Sequence, residues 1–136
     1  MVSCNFKKRF AEPILAGTKA QTIRANRKRH ARPGELTHLF TGMRTKYCRR
    51  LGVSVCIEAT PIRMDLRQGV VFCNDGWIRS QEDLDAFAVR DGFGCWDELV
   101  AFWAAEHPGI DEFDGMLIRW QPLVAADPLA IAGAAA

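Results

Sequence analysis

Between Leu51 and Met64 the chain alternates, with Val53, Val55 and Ile57 recurring at period two. That spacing puts apolar side chains on one face of a strand. Thr60-Pro61 is expected to end ladder pairing there or to mark an edge, because proline has no N–H to donate. Glu35 to Phe40 alternates more briefly and reads as another strand. Gly69 to Cys73 is a short buried-type strand, Asn74-Asp75-Gly76 a tight-turn signal and Trp77-Ile78 a return strand, so 70–79 predicts a hairpin. Shorter strands are predicted over Asn5–Phe10, Ala20–Arg24 and Met116–Trp120.

Two segments change period. Ser80 precedes Glu82 and Asp83, an N-cap followed by first-turn acids, and Leu84, Phe87 and Ala88 then recur at helical spacing to about Arg90. Trp96, Leu99, Val100 and Trp103 fall at i, i+3, i+4 and i+7, an apolar stripe that predicts a core-facing helix over Cys95–Glu106. Ala11 to Ala16 adds one or two helical turns, closed by Gly17. The sum is an α+β fold: a small mixed β-barrel of five to seven strands with two or three helices. Residues 1–122 read as a single domain and 123–136 as an Ala-rich, frayed tail.

At 136 residues the chain can bury roughly two thirds of its unfolded surface, enough for a core without staples. No signal peptide or membrane-length apolar run stands out, which predicts a cytoplasmic protein with no membrane partner. The five cysteines include no C-x-x-C, and the three histidines have no metal-ligand spacing, so neither a metal nor any other cofactor is expected.

Charge sharpens the picture more than composition does. Residues 1–50 hold 13 Lys/Arg and two acids, whereas 51–136 hold five Arg and 14 acids. Such a split predicts either a basic surface that meets a polyanion or two halves that neutralise each other, and the clustering favours the first. Arg24, Arg27, Lys28, Arg29 and Arg32 crowd one aperiodic loop region, expected to contact phosphates. Arg44, Lys46, Arg49 and Arg50 surround Tyr47, a pattern that suits a base stacked beside a phosphate track.

Chemistry concentrates at Lys19, Thr22 and Arg24. Thr22 and Arg24 share one strand face, and Lys19 just before the strand could lean over its start to meet Thr22. An amine beside a hydroxyl can bind an anion, or take the hydroxyl proton and make a nucleophile.

Gly17-x-Lys19-x-x-Thr22-x-Arg24 resembles the G-x-K-x-x-[E or T]-x-R signature of the ASCH domain family, a PUA-like small barrel. Arg32-Pro33-Gly34-Glu35-Leu36, Asp91-Gly92-Phe93 and Trp96-Asp97-Glu98-Leu99 follow in the family's order, so the resemblance spans about Phe6 to Trp120. It implies a cleft that receives RNA or a nucleoside. One subset it resembles comprises amidohydrolases that deacetylate N4-acetylcytidine. By that likeness Lys19 would activate Thr22 as nucleophile, and a carboxylate would complete the set: Asp91 first, with Glu98 or Asp97 as fallbacks. This chain has the shorter Asp where that subset has Glu.

The expectation is therefore an ASCH-type domain that binds RNA or a modified nucleoside in a cleft lined by Lys19, Thr22 and Arg24. The alternative is the amidohydrolase with catalytic Lys19, Thr22 and Asp91. A ribonuclease ranks lower, since no histidine pair offers acid–base work.

Overall fold

The computed structural model describes residues 2–26 and 29–123. Arg27, Lys28 and the tail beyond residue 123 lie outside the described residues.

Among the described residues seven strands and three helices form a mixed α+β domain. The strands are β1 (Val2–Phe6), β2 (Gln21–Arg24), β3 (Leu36–Thr41), β4 (Arg49–Asp65), β5 (Val70–Cys73), β6 (Gly76–Ile78) and β7 (Glu112–Trp120). The helices are α1 (Ala11–Ala16), α2 (Gln81–Arg90) and α3 (Trp96–Glu106). The first strand is Val2–Phe6 rather than Asn5–Phe10; Lys8–Phe10 winds instead into a 3-10 turn that leads to α1.

β4 organises the sheet. Its first half pairs antiparallel with β3 and its second half with β7. The handover falls at a register shift between Cys56 and Glu58, where a bulge bends the strand. Thr60-Pro61 does not end this strand. Pro61 stands opposite Met116 of β7, and the β5 ladder on β4 begins only at Arg63, so the missing N–H interrupts no β5 pairing.

The sheet does not close into a barrel. Among the described residues β1 pairs only with β3, in parallel, and β2 only with β7. Between these strands lies a seam crossed by a side chain: the Arg24 Nη2 donates to the Asn5 carbonyl at 2.9 Å. A guanidinium thus stands where a ladder would have to run.

α2 and α3 complete the core. Leu84, Phe87 and Ala88 of α2 and Trp96, Leu99 and Trp103 of α3 are buried, with Ile14, Leu39, Met64, Leu117 and Trp120 beside them. The Ser80 hydroxyl accepts from the Asp83 N–H at 3.1 Å, the N-cap that the sequence signals. Cys4, Cys56 and Cys73 are buried as small apolar fillers. No helix of the described residues is long and apolar enough to cross a membrane.

Candidate functional site

Two turns bring the chemistry together. Gly17 caps α1 at φ 83°, and a Cβ there would run into the Leu123 carbonyl, so glycine serves both the turn and the close approach. The Lys19 N–H then donates to Pro13 O (3.0 Å) and the Ala20 N–H to Arg90 O (3.1 Å), which ties the start of β2 to the end of α2. That end is a Schellman motif: Phe93 N–H donates to Ala88 O (2.9 Å) and Gly92 N–H to Val89 O (3.0 Å). Asp91, at the C-cap, is thereby turned toward Lys19.

Lys19 is 2 % exposed. Its Nζ donates to the carbonyls of Asp91 (2.5 Å) and Gln21 (2.8 Å), and the Asp91 Oδ1 lies 4.0 Å away. The ammonium also sits over the rings of Phe10 and Phe6, at 4.7 and 5.4 Å. Desolvation lowers the Lys19 pKa from 10.5 to about 8, against the pull of Asp91, with Arg24 and Arg9 pushing the same way as burial. Desolvation likewise raises the Asp91 pKa, against Lys19, the hydrogen bond from Gln21 and Arg24. Each partner is pushed toward its neutral form.

Thr22 is buried and lines the same cavity. Its Oγ1 accepts from the Arg24 Nε at 3.1 Å, while the two Lys19 donations go to backbone carbonyls. The direct Lys19–Thr22 contact anticipated from spacing is therefore replaced by a shared wall. The cavity is about 220 Å³, sits at the β1–β2 seam, and has Phe6, Phe10, Phe93, Phe102 and Trp103 as its aromatic walls. Arg9 lies over the Phe10, Phe93 and Phe102 rings and pairs with Glu98 at 2.8 Å. Glu98 also accepts the Gly94 N–H, so it serves the start of α3. Of the three candidate carboxylates, Asp91 is the one among the pocket's lining residues.

The basic clusters divide. Arg29 is held by Glu35, which also accepts the Arg32 N–H. Lys7–Glu106 and Arg9–Glu98 bridge the basic and acidic halves, so part of the charge split is spent internally. Among the described residues Arg44, Lys46, Arg49 and Arg50 join no ion pair. All four are exposed, as is Tyr47 (74 %), with Lys46 against its ring. Their loop flanks the pocket, since the Met43 N–H donates to Asn5 Oδ1 and Asn5 is a lining residue.

Sequence reasoning missed the supports. Gln21 Nε2 donates to Asp91 Oδ1 (3.2 Å), and its Oε1 accepts from Arg119 Nε (3.3 Å). Arg119 in turn pairs with Glu58 (3.0 Å) and Asp75 (2.9 Å). Gly92, at φ 101°, is a further one: a Cβ would stand 2.7 Å from Lys19 Cδ and 2.9 Å from the Phe10 ring. Gly92→Ala is expected to cost about 2 kcal/mol through strain at the positive φ and displacement of Lys19. Chemical denaturation of the variant at pH 7 reads this directly.

No group of three or more metal-ligating side chains is assembled among the described residues. Compared with protein-family models, curated proteins and solved structures, the chain finds no match in any of the three.

Proposed function

We propose that this is an ASCH-type, PUA-like domain that binds a nucleoside-like group, presented by RNA, in the pocket at the β1–β2 seam. The observation that carries the reading is the pocket itself: about 220 Å³, aromatic-walled, with Lys19, Thr22, Arg24 and Asp91 converging on it. An apolar slot with a few fixed polar groups is how proteins hold a flat heterocycle. Arg44, Lys46, Arg49 and Arg50 would take the phosphates beside it, with Tyr47 available to stack a neighbouring base.

A second reading, hydrolysis of the amide of N4-acetylcytidine, is favoured by the Lys19 pKa of about 8. At that value about one Lys19 in ten is neutral at pH 7. In the reaction Lys19 has to turn from its two carbonyl partners to reach Thr22 Oγ1; the Thr22 oxygen then bonds to the acyl carbon and its proton passes to Lys19. The C–N bond then breaks and the proton leaves with the amine. Water cleaves the resulting ester. The Arg24 N–H on Thr22 Oγ1 stabilises the alkoxide as it forms.

Two measurements separate the readings. A binder loses RNA affinity steeply with salt, and Arg49→Ala and Arg50→Ala each reduce the slope by about one. An amidohydrolase turns over free N4-acetylcytidine with little salt dependence and loses at least about a hundredfold in Lys19→Ala and in Thr22→Ala. No turnover above background removes the hydrolase, and a flat salt response of RNA binding removes the phosphate track.

A further inference from the structure

Outside the pocket, the most exposed aromatic rings besides Tyr47 lie side by side on the β5–β6 hairpin. Phe72 is 45 % and Trp77 61 % exposed, their centroids are 4.7 Å apart, and Arg79 lies over the Trp77 ring at 5.7 Å. They border a cavity of about 570 Å³ whose other walls include Asn26, Pro61, Arg63 and Met116. Nothing in the core requires these rings, since the hairpin is already anchored by Val71, Cys73 and Ile78 on its opposite face.

The strand register joins this shelf to the pocket. Arg24, which lines the pocket, stands directly opposite Met116, and Met116 directly opposite Pro61. Opposed residues project on the same face of a sheet. Two residues along β4, Arg63 stands opposite Phe72 and Phe72 opposite Trp77. A continuous surface thus runs from Arg24 over Met116 and Pro61 to the two rings. With strands about 4.8 Å apart, the span from Arg24 to the far ring is roughly 20 Å.

Charge gives the surface a direction. Arg24 stands at the pocket end, and Arg63 at the middle is matched by Asp114 at 2.8 Å. Asp65 of β4, two residues beyond Arg63, and Glu112, opposite it on β7, stand around a smaller cavity that the two rings also line. That distribution favours an anion at the Arg24 end over the acidic side of the rings.

We propose that Phe72 and Trp77 are a second binding site, a stacking shelf for unpaired bases of a single-stranded RNA whose neighbouring nucleoside occupies the Lys19 pocket. The proposal rests on the pocket reading above and extends it: the ligand is a strand of several nucleotides, held at both ends of the surface. Stacking on exposed rings tolerates any base, so the shelf contributes affinity and reach while the pocket selects.

The test uses a fluorescein-labelled single-stranded hexaribonucleotide of mixed sequence and the whole chain. Wild type is compared with Phe72→Ala/Trp77→Ala and with the conservative Trp77→Phe. The double variant is expected to bind at least about tenfold more weakly, with Trp77→Phe near wild type. The slope of affinity against salt should not change, because no phosphate contact is removed. Equal hexamer affinity in wild type and the double variant overturns the shelf and leaves the pocket standing. So does turnover of N4-acetylcytidine by a wild type that binds no hexamer. A wild type that does neither overturns both readings. A double variant altered only in self-association, read by sedimentation, also overturns the proposal and makes this face a contact between copies.

Discussion

Lys19→Met is expected to destabilise the protein by about 3–5 kcal/mol at pH 7, and Lys19→Met/Asp91→Asn to recover part of that loss. The single change takes the donor from the buried Asp91 and Gln21 carbonyls and leaves the Asp91 carboxylate, itself buried, without its charged neighbour. A lone carboxylate in a dry site is costly, and Asp91 is already pushed toward protonation by burial. In the double variant nothing in the pair is charged, and the amide oxygen introduced by Asp91→Asn can still accept the Gln21 N–H. The penalty of the single variant should also shrink between pH 7 and pH 5, as Asp91 takes up a proton with less effort. Urea denaturation of the three proteins at the two pH values tests this. A single variant as stable as wild type, or a double variant no better than the single, would mean that the two groups do not depend on each other.

That coupling was only half legible in the sequence. Lys19, Thr22 and Arg24 stood out because cations and a hydroxyl within six residues are conspicuous, and Asp91 because it precedes Gly92-Phe93. Contact between Lys19 and Thr22 was a reasonable reading of their spacing. Spacing along a strand, however, cannot foresee that two backbone carbonyls, one of them 72 residues away, take the amine's hydrogens. Gln21 gave no signal, since an isolated Gln in a strand reads as a solvent-facing residue; only the α2 C-cap on one side and Arg119 on the other make it a buried bridge. The Gly92 requirement is of the same kind, being set by Lys19 and Phe10 from other elements.

The fold was legible where periodicity was strong. The hairpin over 70–79 and the two amphipathic helices follow from local pattern, because their buried faces are written at period two or 3.6. The expected barrel failed on a nonlocal fact: closure needs a β1–β2 ladder, and whether two short strands meet is decided by what fills the space between them. Here the Arg24 side chain fills it. The unclosed seam is also where the pocket lies, so the feature that the periodicity could not foresee is the one that makes room for a ligand.

Raising the pH from 7 to 10.5 should stabilise wild type relative to Lys19→Met/Asp91→Asn by about 3 kcal/mol. The sign follows from the two states of Lys19, whose pKa is about 8 folded and 10.5 as the reference value. Below pH 8 both states carry the proton, and the folded protein bears the full cost of a buried charge. Between pH 8 and 10.5 the unfolded chain still binds a proton that the folded one has released, so stability rises with pH. Above that window the gain is complete. Asp91 works in the opposite sense: its folded pKa is raised above 3.8, so the unfolded chain gives up its proton first, and stability falls as pH climbs from there through the folded value. Relative to the unfolded chain, each charge in the buried pair costs more than its partner returns, and a deprotonated Lys19 keeps the two carbonyl hydrogen bonds that Lys19→Met loses. The double variant titrates at neither position, so subtracting it cancels every other group that ionises over the range. Urea unfolding of the two proteins from pH 4 to 10.5 should trace a difference that first falls and then rises. A difference that stays flat between pH 7 and 10.5 would place Lys19 at its ordinary pKa, and with that the neutral amine required for Thr22 to act as a nucleophile would be lost.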